Sequence, residues 1–557
     1  MTGWRSPDAA ALRRRLAAEA VGDRTGRSGD EVLGAFAERR AQVADDPDRW
    51  ERGTTRRQFL IGAATVAGAA VLTTRVGRAS AAKVTAPRVA IVGGGLAGLR
   101  AAHWLWRVKG ISSTIYDANP DRLGGRCYTL RGFFAAGQTV EHGGAFINSE
   151  HNALRNLVAN LGLRMRVVDG GAQTFGDTYW VNGAYTYDAA NGDWGGVWRA
   201  FKDALASAPY AQTLADHTAA GAALDRMTVD EWITANIPGG LTGRFGSIMR
   251  SNAVAEYGLD PSQQSALNLI YLLGWNAQNS LDPINGGDER YTVVGGNDQI
   301  VTRLIAELPA GTIRSGQRLA AVRRNTDGTA RLTFENGGRS TDVVADRVIL
   351  ALPFQTLREV DLSASGLSPT KRRAIAEWGL GANGKIHMQT ARRPWLDQRL
   401  GGVAYSPIDG FQCVWDDSVN QPGTGSTTVS PTSPGILCYF PGGSRTLGTW
   451  TGAAFGPAPS AQVTEALGWI EPVFPGVTRS YNGLAFRDAW HLNPFAKGAY
   501  TCPRPGQYTG LGGVAEQVEA PFHFAGEHTS MEFMGFLNGA VVSGERAARE
   551  VALAAGY

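Results

Sequence analysis

Three glycines at the spacing G-x-G-x-x-G are the first residues of this chain whose pattern indicates chemistry. Gly93, Gly95 and Gly98 follow a short apolar run at 89–92 and precede a stretch with helical periodicity. This order predicts a buried strand, a tight turn and a helix whose N-terminus faces a pyrophosphate, with Ala97 also placed at the cofactor. The first glycine permits the turn, the second lets the backbone approach the phosphates, and the third packs the helix on the strand.

A second motif follows at the end of the next β-like run. Asp117 stands about 20 residues after the glycines, where a carboxylate can hold ribose hydroxyl groups. Two arginines, Arg122 and Arg126, then flank the bare pair Gly124 and Gly125. This arrangement suits a cofactor that lies along the backbone beyond its first phosphate, which NAD alone does not require. The first motif is weak by itself, but the two together indicate a flavin dinucleotide.

The segment from Asp117 to Arg126 resembles the first flavin motif of the flavin-containing amine oxidase family, which includes monoamine, polyamine and L-amino-acid oxidases. A single glycine pair is an ordinary turn in a chain with 72 glycines, so the order of several motifs carries the resemblance. It covers roughly residues 86–557. The further segments that are similar to family motifs are 141–146, 294–304, 346–353, 524–529 and 535–544.

The resemblance implies an α/β protein in which a Rossmann-type FAD-binding domain is interleaved with a mixed-sheet and helical substrate domain. We assign 86–145, 290–355 and 485–557 to the discontinuous FAD-binding domain. The substrate-binding domain takes 146–289, which has helical periodicity, and 356–484, which contains strand-like runs.

The resemblance also implies how the flavin is held. Ala499 stands where covalent-flavin members carry a cysteine, so we expect FAD to bind without a covalent bond. Beyond the two N-terminal motifs, the residues expected at FAD are Gly143, Gly144, Ala145, Phe146, Leu319, Gly526, Glu527 and Phe536.

Four residues are candidates for the chemistry itself. Lys385 stands on a strand-like run similar to the family strand whose lysine holds a water near the flavin N5, although a surface lysine on an edge strand would give the same pattern. Trp490 and Tyr500 lie in a segment that resembles one wall of the family's aromatic cage, and Phe536 falls at the opposing wall. Two ring faces at an amine nitrogen steer its lone pair, exclude water and stabilise positive charge by roughly 0.5–2 kcal/mol each.

The substrate class is less determined than the cofactor. Phe146 stands where L-amino-acid oxidases of the best-known animal type carry the arginine that grips the substrate carboxylate, and this favours a simple amine or polyamine. Arg250 or Arg290 could instead supply the bidentate contact to an α-amino acid. Asn148 stands where polyamine oxidases place an acid, and the sequence shows no acidic cluster that would clearly hold a polyamine.

The expected function is oxidative deamination of a primary amine or polyamine to an imine and then an aldehyde, with oxygen reduced to hydrogen peroxide. The sequence also allows a quinone or another electron acceptor. The alternative within the family is an L-amino-acid oxidase or dehydrogenase that yields a 2-oxo acid and ammonia. Two other classes stay open: a flavin desaturase, and a secreted protein that holds FAD without catalysis. The oligomeric state is also open, with a homodimer among the options.

A leader-like segment precedes these motifs. Arg56 and Arg57 stand before an apolar stretch at 59–72, whose 14 residues fall short of the roughly 17–25 that span a bilayer. Small residues at 79–81 offer a cleavage site. We therefore expect 1–81 to be an N-terminal extension and twin-arginine signal peptide, and the folded protein to be exported by that machinery to the periplasm or the medium. An uncleaved membrane anchor and a buried helix are the alternatives.

Charge and cysteine content exclude several function classes. The chain has 54 lysines and arginines against 50 acidic residues, but 1–81 hold 14 arginines and 10 acidic residues, which leaves the remainder balanced. Nucleic-acid binding is therefore not expected. Four cysteines without a C-x-x-C pair indicate neither a disulfide scaffold nor a metal site, although one disulfide would be compatible with them.

Overall fold

The computed structural model describes residues 86–168, 177–283, 287–408, 410–419, 421 and 430–557. The expected signal peptide therefore lies outside the described residues and stays a prediction. None of the described helices is both long and apolar enough to cross a membrane.

The strands are short, and most are bounded by glycine-containing or polar turns. In chain order they are β1 (Val89–Val92), β2 (Ser113–Tyr116), β3 (Thr129–Leu130), β4 (Val140–Glu141), β5 (Met165–Val167), β6 (Thr178–Trp180), β7 (Ala184–Tyr185), β8 (Tyr291–Val293), β9 (Ile313–Arg314), β10 (Arg318–Arg324), β11 (Ala330–Asn336), β12 (Arg339–Ala345), β13 (Arg347–Leu350), β14 (Gly384–Thr390), β15 (Ala404–Ser406), β16 (Gln412–Asp416), β17 (Gly435–Tyr439), β18 (Phe455–Pro457), β19 (Tyr481–Ala489) and β20 (Phe522–Phe524).

Several helices begin after a serine or threonine whose hydroxyl accepts a backbone N–H, as at Thr186 and Thr228. In chain order the α-helices are α1 (Leu96–Lys109), α2 (Asn152–Asn160), α3 (Tyr187–Ser207), α4 (Ala219–Arg226), α5 (Val229–Asn236), α6 (Arg244–Tyr257), α7 (Ala266–Leu273), α8 (Gln299–Ala306), α9 (Phe354–Leu357), α10 (Pro369–Glu377), α11 (Pro394–Asp397), α12 (Ser444–Thr449), α13 (Ser460–Ile470), α14 (Val477–Ser480), α15 (Gln507–Leu511) and α16 (Leu537–Ala554).

The strand that precedes the glycine motif, β1, lies at the centre of a five-stranded parallel sheet of order β20-β13-β1-β2-β9. All four of its residues are buried, because both faces of the sheet are covered. Val89 and Ile91 belong to a core shared with α1 and α16, whereas Ala90 and Val92 belong to the core shared with β10, β11 and β12. Alternate residues of one strand thus serve two cores.

The strands of this sheet come from distant parts of the chain. β1 and β2 are N-terminal, β9 and β13 are central, and β20 lies near the C-terminus. The strands β1, β13 and β20 are adjacent and parallel, so the residues that follow them, including Gly93, Ala351 and Gly526, meet at one edge of the sheet. Ligands of such sheets bind at this carboxyl edge.

A second, eight-stranded sheet has the order β18-β19-β14-β17-β16-β15-β6-β7 and is antiparallel except at the β15–β6 pair. β14 is an interior strand between β19 and β17, and all seven of its residues are buried. The predicted boundary at 485 falls inside β19, which belongs to this sheet.

Helices α3 to α7 form a further core with residues of the eight-stranded sheet, including Tyr179, Tyr405 and Cys413. The α/β class, with a Rossmann-type parallel sheet beside a mixed sheet and helices, is therefore confirmed. The disulfide that the sequence allowed is not formed, because all four cysteines are buried free thiols.

Candidate active site

The turn between β1 and α1 has the backbone geometry that the glycine motif predicts. Gly93 has a φ of +107°, and a Cβ at this position would lie 2.6 Å from the carbonyl oxygen of Ala351. A Cβ at Gly98 would lie 2.0 Å from the carbonyl oxygen of Gly93, so the third glycine permits close packing of helix and strand. The helix begins after Gly95 without a side-chain cap, which leaves its N-terminus available to an anion.

Asp117 follows β2 and connects this turn with the second motif. Its Oδ2 accepts the N–H of Gly94 at 2.6 Å, and its Oδ1 accepts the N–H of Asn119 at 2.8 Å. Burial raises the pKa of Asp117, and these backbone hydrogen bonds oppose that shift. The carboxylate lines the cavity described below, where the sequence places a ribose.

The two arginines of the second motif have different partners. The guanidinium of Arg122 lies 4.0 Å above the ring of Tyr128 and donates to the carbonyl oxygen of Gly125 at 2.9 Å. Arg126 pairs with the carboxylate of Glu527 at 2.9 Å and donates to the carbonyl oxygen of Ala499 at 2.6 Å. Arg126 therefore joins the N-terminal motif to two C-terminal segments.

Glu527, the partner of Arg126, also contacts the loop that precedes α16. Its Oε2 accepts the N–H of Gly535 at 2.7 Å. Burial raises the pKa of this carboxyl, but Arg126 and the other partners outweigh burial and lower the pKa overall. The ionised carboxylate fixes the loop that precedes α16.

Lys385 lies on the interior strand β14, so the edge-strand alternative is wrong. Its side chain is buried, and Nζ donates to the carbonyl oxygens of Glu141 at 2.9 Å and Gly143 at 2.8 Å. Nζ also lies 5.5 Å from the centre of the Trp415 ring. The lysine thus connects the eight-stranded sheet to the glycine loop of the predicted cofactor domain.

The glycine loop that contains His142 is also held by a residue of β19 and by the residue that follows this strand. His142 Nδ1 lies 2.5 Å from Oδ1 of Asp488, and the indole N–H of Trp490 donates to the carbonyl oxygen of His142 at 2.7 Å. Although burial raises the pKa of Asp488, His142 and His387 lower it overall. Trp490 therefore positions the loop as well as lining the cavity.

The two predicted cage residues lie in one cavity. Tyr500 is held by a hydrogen bond from its hydroxyl to the carbonyl oxygen of Ala255 at 2.7 Å. Phe536 stands immediately before α16, and its ring centre lies 4.9 Å from that of His151. Gly535, the residue before Phe536, lies against the Tyr500 ring.

This cavity has a volume of about 550 Å³. Two predicted residues lie outside its lining: Gly98, which packs α1 on β1, and Leu319, which is buried in the core that contains Val92. The structure brings together at the cavity Gly93, Gly95, Ala97, Asp117, Arg122, Gly124, Gly125, Arg126, Gly143, Gly144, Ala145, Phe146, Lys385, Trp490, Tyr500, Gly526, Glu527 and Phe536.

The cavity also contains residues that the sequence motifs do not indicate. Glu256, near the end of α6, and Glu289 line it together with the aromatic residues Tyr405, Trp415 and Phe440. Burial, with a smaller contribution from Asp282, raises the pKa of Glu256 to about 8. No local pattern distinguishes this glutamate from the solvent-facing acids of other helices, so only the fold identifies it.

Neither arginine proposed for a substrate carboxylate lines the cavity. Arg250 pairs with Asp230 at 2.7 Å, and Arg290 lies beside Tyr291. Within the described part of the chain, the arginines that line the cavity are Arg122 and Arg126, both in the flavin motif.

The residues present fit FAD. A Cβ at Gly95 would meet no atom within 4 Å, so the cavity reaches the backbone at the uncapped N-terminus of α1. A second helix, α16, also begins at the cavity without a side-chain cap. Two helix N-termini suit the phosphates and the electron-rich edge of a flavin, and Asp117 suits a ribose.

Known flavin-dependent and amino-acid-oxidising proteins are similar to this chain over most of its length. AofH of Mycobacterium tuberculosis, assigned as a flavin-containing monoamine oxidase, is 26% identical over 476 residues, which cover 83% of this chain and 96% of that protein. The L-amino acid dehydrogenase of Synechocystis is 25% identical over 483 residues and covers 83% of this chain and 94% of its own.

The fold has solved counterparts. Cyclohexylamine oxidase from Brevibacterium oxydans superposes with a TM-score of 0.68 at 21% identity, over 85% of this chain and all of that one. A family model described as flavin containing amine oxidoreductase matches residues 96–552. Since this match spans most of the chain, the protein belongs to the flavin-containing amine oxidoreductase family.

Proposed function

We propose that the protein oxidises a primary amine or polyamine, using noncovalently bound FAD and passing the electrons to oxygen. The overall reaction converts the amine, oxygen and water into an aldehyde, ammonia and hydrogen peroxide. The observation that carries this proposal is the meeting of Tyr500, Phe536 and Lys385 with the flavin loops in one cavity.

The cofactor class follows from the family, and Ala499 before Tyr500 fits a noncovalent mode. When bound, FAD supplies the acceptor for a hydride from the α-carbon of the amine. The chain's own residues bind and orient the substrate: the rings of Tyr500 and Phe536 offer faces to an uncharged amine nitrogen and exclude water. The Nζ of Lys385 holds its protons against the carbonyl oxygens of Glu141 and Gly143.

Charge at the cavity favours an amine over an amino acid. Among the described residues, no arginine outside the flavin motif lines the cavity, and the acids Glu256 and Glu289 at its wall offer no cation to a substrate carboxylate. An amino-acid substrate is the second candidate, and the similarity to the L-amino acid dehydrogenase is the observation that favours it.

Anaerobic mixing with a panel of amines and amino acids tests the proposal. We expect amines to bleach the visible absorption of the oxidised flavin, and air to restore the colour with formation of hydrogen peroxide. Bleaching by amino acids alone would favour the second candidate. Bleaching without reoxidation by oxygen would indicate a dehydrogenase. A flavin that no amine or amino acid reduces would leave a desaturase or a noncatalytic flavin protein.

For localisation, we propose export of the folded holoprotein through the twin-arginine pathway to the periplasm or the medium. Arg56 and Arg57 before a short apolar stretch support this proposal. Replacing both with lysine should retain the flavoprotein inside the cell, measured by fractionation and flavin fluorescence. Replacing Arg13 and Arg14 with lysine, two of three consecutive arginines outside the leader motif, is the control. Unchanged export of the Arg56→Lys/Arg57→Lys variant would contradict the proposal.

A further inference from the structure

The carboxyl group of Glu256 is an ionisable group at the cavity that the proposed reaction does not use. It stands one residue before the end of α6 and lines the cavity beside Ala255, whose carbonyl oxygen accepts the hydroxyl of Tyr500. In the described part of the chain, no side chain donates a hydrogen bond to the Glu256 carboxylate or forms an ion pair with it. Burial, with a smaller contribution from Glu256, raises the pKa of Tyr500.

The loop at Asn148 supplies a second carboxylate to the same cavity. The Oδ1 of Asn148 accepts the backbone N–H of Glu289 at 3.0 Å, and Glu289 has a φ of +37°. Such a backbone conformation is unfavourable for a non-glycine residue and persists where its surroundings hold it. Asn148, which stands at the position of an acid in polyamine oxidases, thus positions a different acid at the cavity wall.

The lysine and the arginines that line the cavity in the described part of the chain already have partners within the protein. Lys385 donates to two carbonyl oxygens, Arg122 is stacked on Tyr128, and Arg126 is paired with Glu527. The ring of Tyr405 lies at the same cavity, whereas the rings of Trp415 and Phe440 already lie 5.5 Å and 6.0 Å from the Nζ of Lys385. A half-buried carboxyl group that has no cationic partner among the described residues is complementary to a cationic ligand.

From this arrangement we infer that Glu256 binds a second cationic group of the substrate, so that the preferred substrate is a diamine or polyamine. This inference rests on the proposed function and adds its substrate class. The reacting nitrogen lies at the cage, and the distant ammonium pairs with the Glu256 carboxylate. Glu289 contributes a second acidic side chain to the wall of the same cavity. Binding therefore selects substrates by the distance between their two nitrogens.

The raised pKa of Glu256 agrees with this role. The carboxyl retains its proton up to about pH 8 in the free protein and ionises more readily when a cation arrives. The groups that interact with it are Asp282, Tyr257, Tyr405, Cys413 and Tyr500.

The test compares α,ω-diamines with n-alkylamines of equal chain length, using anaerobic flavin reduction and steady-state kinetics of the holoprotein. In the wild type, kcat/KM for the best diamine should exceed that for its matched monoamine at least tenfold. In Glu256→Gln this ratio should fall close to one, mainly through KM. Glu377→Gln changes an exposed ion-paired glutamate and is the matched control.

The outcomes separate the two proposals. Monoamine oxidation with a wild-type ratio near one would overturn the inference and leave the proposed function intact. An unchanged high ratio in Glu256→Gln would also overturn the role of this residue. Absence of flavin reduction by every amine would overturn the proposed function, and the inference with it. The wild-type ratio needs no variant, so the test stands even if Glu256→Gln does not fold.

Discussion

At the residue scale, sequence motifs indicate some residues of the site and do not indicate others. Lys385 is indicated by resemblance, and the structure adds its burial and its two carbonyl partners. Glu256 is indicated by no motif, and its position at the cavity follows only from the packing of α6. Motifs along the chain therefore identify residues such as Lys385 but not residues such as Glu256.

Replacing Lys385 with methionine should slow flavin reduction or reoxidation by about tenfold or more, because the side chain no longer carries protons beside the reacting groups. FAD should remain bound, since the cofactor motifs are untouched. Stopped-flow absorbance with an amine and then with oxygen measures the two half-reactions. Lys109→Met, at the end of α1, is the control. Unchanged rates of both half-reactions would remove Lys385 from the chemistry.

The pKa of Glu256 predicts a pH-dependent stability. Its folded pKa of about 8 lies above the ordinary value of 4.5, so the stability that this group contributes is present at low pH and is lost as pH rises toward 8. Glu256→Gln removes this loss. The melting temperature of this variant should equal that of the wild type below about pH 4.5 and exceed it by a few degrees at about pH 8, and the difference should stay constant at higher pH. Thermal unfolding of the holoprotein without substrate, followed by flavin fluorescence, measures this difference. A difference that does not depend on pH would contradict the assignment.

At the element scale, the pattern of apolar residues predicts that β1 and β14 are strands, but it does not predict their positions in the two sheets. The apolar run at 89–92 and the strand-like run around Lys385 both form strands. Their places, at the centre of one sheet and in the interior of another, depend on pairing with β13, β2, β17 and β19. Those partners lie far away in sequence.

Because α1 packs closely on β1 at Gly98, adding one methyl group there should have a large effect on FAD binding. Gly98→Ala would place a Cβ 2.0 Å from the carbonyl oxygen of Gly93, so the turn must shift and FAD binding should weaken at least tenfold. Gly192→Ala is the matched control, because a Cβ there meets nothing within 4 Å on the exposed side of α3. That variant should be more stable by roughly 0.5–1 kcal/mol. FAD titration and thermal unfolding measure both, and equal FAD affinity in the two variants would refute the packing argument.

At the scale of the whole molecule, the cavity is formed by segments from both ends of the described chain. Arg126 and Glu527, which are 401 positions apart, form one ion pair at its wall. Lys385 and Trp490 attach the second sheet to the glycine loop of the first. Because these segments meet only in the folded state, cofactor binding and folding should be coupled.

Removal of FAD should therefore lower the melting temperature by several degrees. A ligand that binds only the folded state adds about 2.7 kcal/mol of stability at a concentration of 100 times its dissociation constant. Re-addition of FAD should restore the melting temperature, and FMN should restore less because it lacks the adenosine that Asp117 and the α1 turn would hold. Differential scanning calorimetry of the apo and holo forms measures the shift. Equal melting temperatures would show that the cavity does not depend on the cofactor.

The motifs of the sequence predict the cofactor, the fold class and most of the residues that line the cavity. Backbone approach to phosphates restricts residue type at fixed spacing, and such local constraints can be detected in a single chain. Only the folded chain shows that Lys385 is buried, that Arg250 and Arg290 do not line the cavity, and that Glu256 and Glu289 do. These features depend on which distant segments pack together, and an isolated charged residue on a helix carries no local sign of the cavity it will face.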